Sequence, residues 1–341
     1  MSKNKFLSVV VLGAGKGTRM KSNKAKVLHE LFHAPMIHHV LGNVMPLCPL
    51  QVIVIVGHQR RAVVESLRGF GVETVVQQEQ LGTGHAVLCT EQQISADCQT
   101  VLILCGDTPL IRSESLAEMV KDHEKSGATV TVMTTCLDDP TNYGRIICDG
   151  KDQVQAIVEE KDATDEQRQI NEINGGIYCV KREFLFGALK RIGTDNSQGE
   201  VYLTDIVSLA VGDGFPVAKF LLSRSEDVLG VNSRVELAGA HKALQLRRNR
   251  ELMAQGVSMD DPDSVNVQPG VTVGADTLLG AGIYISGASR IGDECRLDNG
   301  VILKDCRIGN GVRIGAYCYL DGVDLEDRAV LEPYTLNKKV A

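Results

Sequence analysis

From Val267 onward an aliphatic residue returns at every sixth position: Val267, Val273, Leu279, Ile285, Ile291, Leu297 and Leu303. The ladder slips by one residue, resumes at Ile308, Ile314 and Leu320, then slips again to Leu325 and Leu331. A six-residue period fits neither the 3.6-residue turn of a helix nor the two-residue pleat of a strand. It fits a parallel β-helix, where each aliphatic fills a corner of a prism and neighbouring coils bury one another. Glycine follows the aliphatic at Gly274, Gly280, Gly292, Gly309 and Gly315. A loop-rich β domain would not hold this register, and the repeats amount to about four triangular coils at three strands per coil.

The preceding residues read differently. Short β-branched runs at Ser8–Leu12, Val52–Val56, Thr74–Val76, Val101–Cys105, Val130–Thr134 and Val217–Phe220 alternate with helix-period segments such as Arg60–Leu67 and Ser113–His123. That alternation predicts an α/β layer with a mostly parallel sheet, whose ligands bind beyond the carboxyl ends of the strands. Between the two regions, Ser233–Gln255 has good helix formers, no proline, and Gly256 as a stop. With 341 residues there is room for two domains at roughly 100–200 residues each. The expected division is 1–231, a connecting helix over 232–262, and the repeats over 263–341.

Composition excludes several function classes. The formal charge is −7, tryptophan is absent and aromatics are 4%, so neither a basic stripe nor a stacking platform for nucleic acid is present. Ten cysteines without a C-x-x-C pair predict reduced thiols in the cytoplasm rather than a disulfide framework or zinc ribbon. The start, MSKNKFLSVVVLGAG, has the charge and apolar run of a secretory signal. The run is short and lacks a cleavage site, so a first strand is expected. No stretch is long enough for a membrane span, and no membrane partner is expected.

The most chemical segment is LGAGKGTRM, Leu12–Met20. Its glycines let backbone N–H groups line a phosphate nest, and Lys16 and Arg19 add positive charge. It is neither a Walker A loop nor the dinucleotide fingerprint, and spacing alone also allows an ordinary βα turn. His29-Glu30-Leu31-Phe32-His33 matches H-E-x-x-H, but Pro35 follows too closely for the helix a metalloprotease needs. A loop and helix start are expected there. His38 and His39 have no partner legible in sequence.

LGAGKGTRM followed by KVLHEL (Lys26–Leu31) resembles the signature of nucleoside-diphosphate-sugar pyrophosphorylases. QQEQLGTGHA (Gln77–Ala86), CGDTPLI (Cys105–Ile111), NYGRI (Asn142–Ile146), IVEEKDAT (Ile157–Thr164), EINGGI (Glu172–Ile177), GEVYLTDI (Gly199–Ile206) and GVNSR (Gly230–Arg234) narrow it. In order, they resemble the bacterial N-acetylglucosamine-1-phosphate uridyltransferases. The resemblance implies a Rossmann-like nucleotidyltransferase domain with a mostly parallel sheet, a connecting helix, and a short left-handed parallel β-helix. It also implies the substrates UTP and N-acetylglucosamine 1-phosphate, the products UDP-N-acetylglucosamine and pyrophosphate, and a place in cell-wall precursor synthesis.

By the same resemblance, the backbone of Leu12, Gly13, Ala14 and Gly15 holds the nucleotide, with Cys105 and Gly106 beside it. Arg19 and Lys26 meet its phosphates. Gln77, with Gly82 and Thr83, reads the uracil, a task that suits an amide offering both donor and acceptor. Asp107 and Asn232 hold Mg²⁺, a hard cation that takes oxygen ligands. Arg19, Lys26 and Asp107 are the implied catalytic residues. Gly144, Glu159 and Asn174 bind the sugar, with Tyr202 and Thr204 nearby. Each residue also has a plainer reading: Asp107 as a turn residue before Pro109, Asn232 as a helix cap, Glu159 paired with Lys161 at the surface.

Three positions depart from the family pattern. Gly13 stands where alanine is usual, Cys105 where tyrosine is common, and Gly175 where threonine is usual. The last two bear on sugar selectivity, so transfer to another sugar 1-phosphate, such as glucose 1-phosphate, is an alternative. A non-catalytic nucleotide-sugar-binding scaffold is another. The family's acetyltransferase residues, including its catalytic histidine, lie in later coils than these, and the last histidine here is His241. Acetyl transfer is therefore expected to be absent. β-Helices of this family pack as trimers, which implies a homotrimer but leaves open whether a shortened one forms it.

Overall fold

The computed structural model of the chain describes residues 4–338. They form two compact units: one comprises the chain to Glu30 and Ala34–Leu237, the other Leu31–His33 and the chain from Ala238 onward.

The first unit is built on a nine-stranded sheet. Its strands are β1 (Asn4–Leu12), β2 (Pro49–Val56), β3 (Glu73–Val76), β4 (Thr100–Cys105), β5 (Val130–Cys136), β6 (Arg145–Cys148), β7 (Val154–Val158), β8 (Glu172–Lys181) and β9 (Val217–Leu221). The main order is β9-β5-β8-β4-β1-β2-β3, with the β6–β7 hairpin attached to β8. Strand β1 runs parallel to both β2 and β4, so the chain leaves it in one direction and later returns on its other side. This makes the carboxyl end of β1 the switch point where an open α/β sheet binds ligands. Near-continuous aliphatic strands fit a sheet covered on both faces. Val10, Ile53 and Ile103 pack in one buried layer, and Val9, Val11, Val54 and Leu104 in the other.

Strand β8 is antiparallel to both β4 and β5, so the sheet is mixed rather than purely parallel. Strands β6, β7 and β8 are not among the sequence-predicted strands. The glycine pair Gly175-Gly176 interrupts the apolar alternation of β8, and the ladder to β5 shifts register between Asn174 and Tyr178.

Eight α-helices are described: α1 (Met36–Val44), α2 (Arg60–Ser66), α3 (Thr83–Leu88), α4 (Ser113–Ser126), α5 (Asp165–Arg168), α6 (Arg182–Leu189), α7 (Asp205–Gly212) and α8 (Arg234–Ala254). Among the described residues no helix is long and apolar enough to cross a membrane. The H-E-x-x-H segment is not helical: Phe32 and His33 have φ of 41° and 70° between the two-residue strands Glu30–Leu31 and Ala34–Pro35. His38 does have a partner, since its Nε2 lies 2.8 Å from Ser66 Oγ.

In the second unit, the repeats wind into a left-handed β-helix of three parallel sheets with five, five and four strands. The ladder aliphatics point inward; Val267, Leu279, Ile285, Leu297, Leu303 and Leu320 are all at most 1% exposed. A second inward row lies two residues earlier and includes Cys295, Cys306 and Cys318, which here act as small apolar fillers. The slips in the ladder are shortened corners. Gly287–Ser289 spans three residues between strands, whereas the next coil turns with Asp305 and Cys306 alone. Helix α8 covers the first coil, where Asn249 Nδ2 donates to the carbonyls of Pro262 and Val265 at 2.8 and 2.9 Å.

One buried histidine links fold to pH. His123 on α4 lies 2% exposed, 2.8 Å from Thr131 Oγ1 on β5, and burial lowers its pKa to about 4, with Lys181 adding to the effect. The unfolded chain takes up this proton near pH 6.5, well above the folded one. Its contribution is therefore complete above pH 6.5 and falls as pH drops toward 4, by up to about 3 kcal/mol. Chemical denaturation between pH 7 and 4.5 should show this loss, and His123→Gln should flatten it. An unchanged slope in the variant would contradict the assignment.

Candidate active site

Two loops meet beyond the end of β1. Gly13 N donates to Ile55 O at 2.9 Å, and Gly106 N donates to Leu12 O at 2.9 Å, so the glycine loop is tied to β2 on one side and to the loop after β4 on the other. A side chain at Gly106 would press on Leu12 O at 3.1 Å. Gly17 has φ of 62°, and a Cβ there would overlap Lys26 at 2.6 Å. The loop thus holds Lys26 against itself. Ala14 O accepts from Gln80 Nε2 at 2.8 Å, which fixes one more wall.

These loops enclose a cavity of about 410 Å³. Leu12, Gly13, Ala14, Gly15, Arg19, Lys26, Gln77, Gly82, Thr83, Cys105, Asp107 and Asn232 all line it, together with Gln80 and Glu200, which sequence did not single out. Gly106 lies beneath, engaged through its backbone. Gln77 is 5% exposed, and its Nε2 donates to Gly82 O at 3.0 Å, so Oε1 is the amide's available acceptor. Gly82 has φ of 110°, and a Cβ there would lie 2.5 Å from Val201 O. Only glycine fits. Thr83 Oγ1 accepts from Leu203 N at 3.0 Å, anchoring this wall to the 200–204 segment.

At one end of the cavity four polar side chains converge. Lys26 Nζ contacts Asp107 Oδ2 in a close ion pair and lies 2.6 Å from Asn232 Oδ1. Arg19 Nη2 donates to the same Asn232 oxygen at 2.8 Å. Asp107 does sit in the turn after β4, but the plainer reading of Asn232 as a helix cap does not describe this geometry. Ser233, not Asn232, caps α8: its Oγ accepts from Glu236 N at 3.2 Å, and Glu236 Oε2 accepts from Ser233 N at 2.9 Å. The turn after β4 is closed by Thr108 Oγ1 donating to Cys105 O at 2.8 Å, leaving the Asp107 carboxylate to Lys26.

A second cluster holds most of the sugar candidates. Asn174 N donates to Gly144 O at 2.9 Å, and Thr204 Oγ1 donates to Glu159 Oε1 at 3.3 Å. A Cβ built at Gly144 would lie 3.6 Å from both Asn174 Cβ and Glu159 Oε2. Lys161 does not pair with Glu159; it bonds Gln198 Oε1 at 2.7 Å. Burial raises the Glu159 pKa despite the Thr204 bond, with Asp162 and Asp205 adding to the rise. Tyr202 stands apart, its hydroxyl accepting from Gln198 Nε2 at 2.7 Å. Two tyrosines escaped sequence reasoning. Tyr178 Oη accepts from Asn174 Nδ2 at 2.6 Å, and Gly176 N donates to Asn174 Oδ1 at 2.9 Å, so the amide is held at both ends. Tyr143 has its phenol pKa raised by burial, then by Glu236 and Asp107.

The profile of the nucleotidyl transferase family matches residues 8–239. The chain belongs to this family. Within the remainder of this nucleotidyl transferase, residues 288–322 match bacterial transferase hexapeptide (six repeats), and 270–304 match hexapeptide repeat of succinyl-transferase. The bifunctional protein GlmU of Desulfotalea psychrophila is 52% identical over 94% of this chain and 95% of its own length. Proteins of the same name from Pelobacter propionicus and Geotalea daltonii are 42% and 41% identical, over 96% and 98% of this chain and 71% and 77% of theirs.

Cys105 faces this site, but its chemistry is suppressed. Burial pushes its thiol up to about 12; Asp107 and Glu159 add to the rise and Lys26 opposes it. A protonated thiol is a poor nucleophile. Iodoacetamide at pH 8 should modify exposed Cys136 and spare Cys105, read by peptide mass spectrometry. Equal rates at the two residues would contradict this.

Proposed function

We propose that this nucleotidyl transferase joins UTP to N-acetylglucosamine 1-phosphate, giving UDP-N-acetylglucosamine and pyrophosphate for cell-wall precursor synthesis. The observation that carries the reading is the convergence of Lys26, Arg19, Asp107 and Asn232 beside the glycine loop. A phosphate oxygen of the sugar 1-phosphate attacks the α-phosphorus of UTP. The bond from that phosphorus to the bridging oxygen breaks, and pyrophosphate leaves. The nucleophile is already anionic, so no general base is needed, and catalysis rests on alignment and charge neutralisation.

Leu12–Gly15 supply backbone contacts to the nucleotide, Gln77, Gly82 and Thr83 read the base, and Arg19 and Lys26 neutralise phosphate charge. Cys105 and Gly106 support the nucleotide's side of the cavity. Gly144, Glu159, Asn174 and Thr204 take the sugar, with Tyr202 in their outer surroundings. Asp107 and Asn232 suit Mg²⁺: both offer hard oxygen donors, and both oxygens already converge on one cation, the Lys26 ammonium. When bound there, Mg²⁺ would neutralise charge developing on the phosphates.

On this reading 1–231 is the catalytic domain, 232–262 the connecting helix and 263–341 the repeat domain. A cytoplasmic location fits the ten free cysteines. A homotrimer through the repeats is supported by an outward row on one β-helix sheet, in which Tyr284, Ile302 and Leu336 are 39%, 37% and 72% exposed.

Pyrophosphate release with Mg²⁺, UTP and a panel of sugar 1-phosphates should show a clear preference for N-acetylglucosamine 1-phosphate. Preference for glucose 1-phosphate would overturn the choice of sugar.

A further inference from the structure

Arg145 is 1% exposed, among the largest wholly buried side chains in the protein. It opens β6, where a β-branched residue would satisfy the strand more cheaply. Burying a guanidinium costs several kcal/mol unless its partners are well placed. Here they are only partly so: Nη1 donates to Tyr143 O, Nη2 meets Glu160 Oε2 at 2.7 Å and Arg168 O at 3.4 Å, and Nε has no hydrogen-bond partner. Stability alone does not account for the charge.

Its connections do. Gly144 directly precedes Arg145 in the chain. On β7, Arg145 pairs with Val158, and its ion-pair partner is Glu160; Glu159 lies between those two. On β8, Arg145 pairs with Ile173, the residue before Asn174. One buried guanidinium is therefore a single residue from each of three sugar candidates carried on three different segments. Through the Tyr143 carbonyl it also holds the turn whose phenol feels Asp107 and Arg19.

We propose that Arg145 is a positioning residue for the sugar half of the site, setting the spacing of Gly144, Glu159 and Asn174 without touching substrate. This rests on the sugar-nucleotide reading above. The nucleotide half is framed by other contacts, through Gln80, Gly82 and Lys26, so the two halves are separable.

The test is steady-state kinetics of Arg145→Met, Arg145→Lys and Glu160→Gln, using whichever sugar 1-phosphate the wild type turns over fastest. The methionine variant should raise KM for the sugar phosphate tenfold or more. KM for UTP, and UTP binding measured directly by calorimetry, should stay within twofold. Arg145→Lys should recover part of the loss. Should the methionine variant fail to fold, Glu160→Gln decides, with a smaller rise in the same KM alone. A fall in kcat and thermal stability with unchanged sugar KM would show a merely structural role and overturn the proposal. So would equal rises in both KM values, or a lysine variant no better than methionine. A wild type active on no sugar 1-phosphate would refute the underlying reading and this proposal with it, whereas an active wild type with insensitive variants refutes the proposal alone.

Discussion

The site depends on how tightly the end of β1 is held. Three consecutive residues use their backbones to bind neighbouring loops: Leu12 O to Gly106 N, Gly13 N to Ile55 O, and Ala14 O to Gln80 Nε2. These contacts need close approach, which fits glycine at 106, where a Cβ would press on a carbonyl at 3.1 Å. Because β1 sits between β2 and β4, two of the ties are made to the end of β2 and the loop after β4, and the third to the segment after β3. The loop's N–H groups are thereby preorganised, and preorganised dipoles stabilise charge without reorganising during reaction.

The charges at the cavity mouth follow from that framework. Lys26 is placed by the glycine loop, Asp107 by the turn after β4, and Asn232 by the approach to α8. The capping pair of Ser233 and Glu236 matters because it relieves Asn232 of the cap and frees its side-chain oxygen for Lys26 and Arg19. Asp107 and Lys26 are both largely shielded, with side chains 22% and 12% exposed, so their pairing is stronger than a surface salt bridge. On the proposed reading, an arriving polyphosphate would compete for the two cations, and a hard cation for the two oxygens. One arrangement of side chains thus serves both.

Much of this was legible in sequence because it rests on local rules. The six-residue ladder identified the β-helix, and the glycine-rich turn after an apolar run marked the end of β1. What remained hidden depends on long-range pairing. Strand β8 inserts antiparallel between β4 and β5, and its Gly175-Gly176 step disguises its alternation. Tyr178 and Arg145 carry no signal of their own in the sequence; their contacts appear only when β6, β7 and β8 come together. The inward row of Cys295, Cys306 and Cys318 was likewise masked, because cysteine signals redox or metal chemistry before it signals packing.

The central claim is that Asp107 and Asn232 form one oxygen site for a divalent cation, now filled by the Lys26 ammonium. Mn²⁺ binding in the presence of a non-hydrolysable UTP analogue, followed by water-proton relaxation, tests it most directly. The account predicts a site that loses at least tenfold in affinity in Asp107→Ala and less in Asn232→Ala, with the fold unchanged by circular dichroism. Wild-type affinity in a folded Asp107→Ala would contradict it.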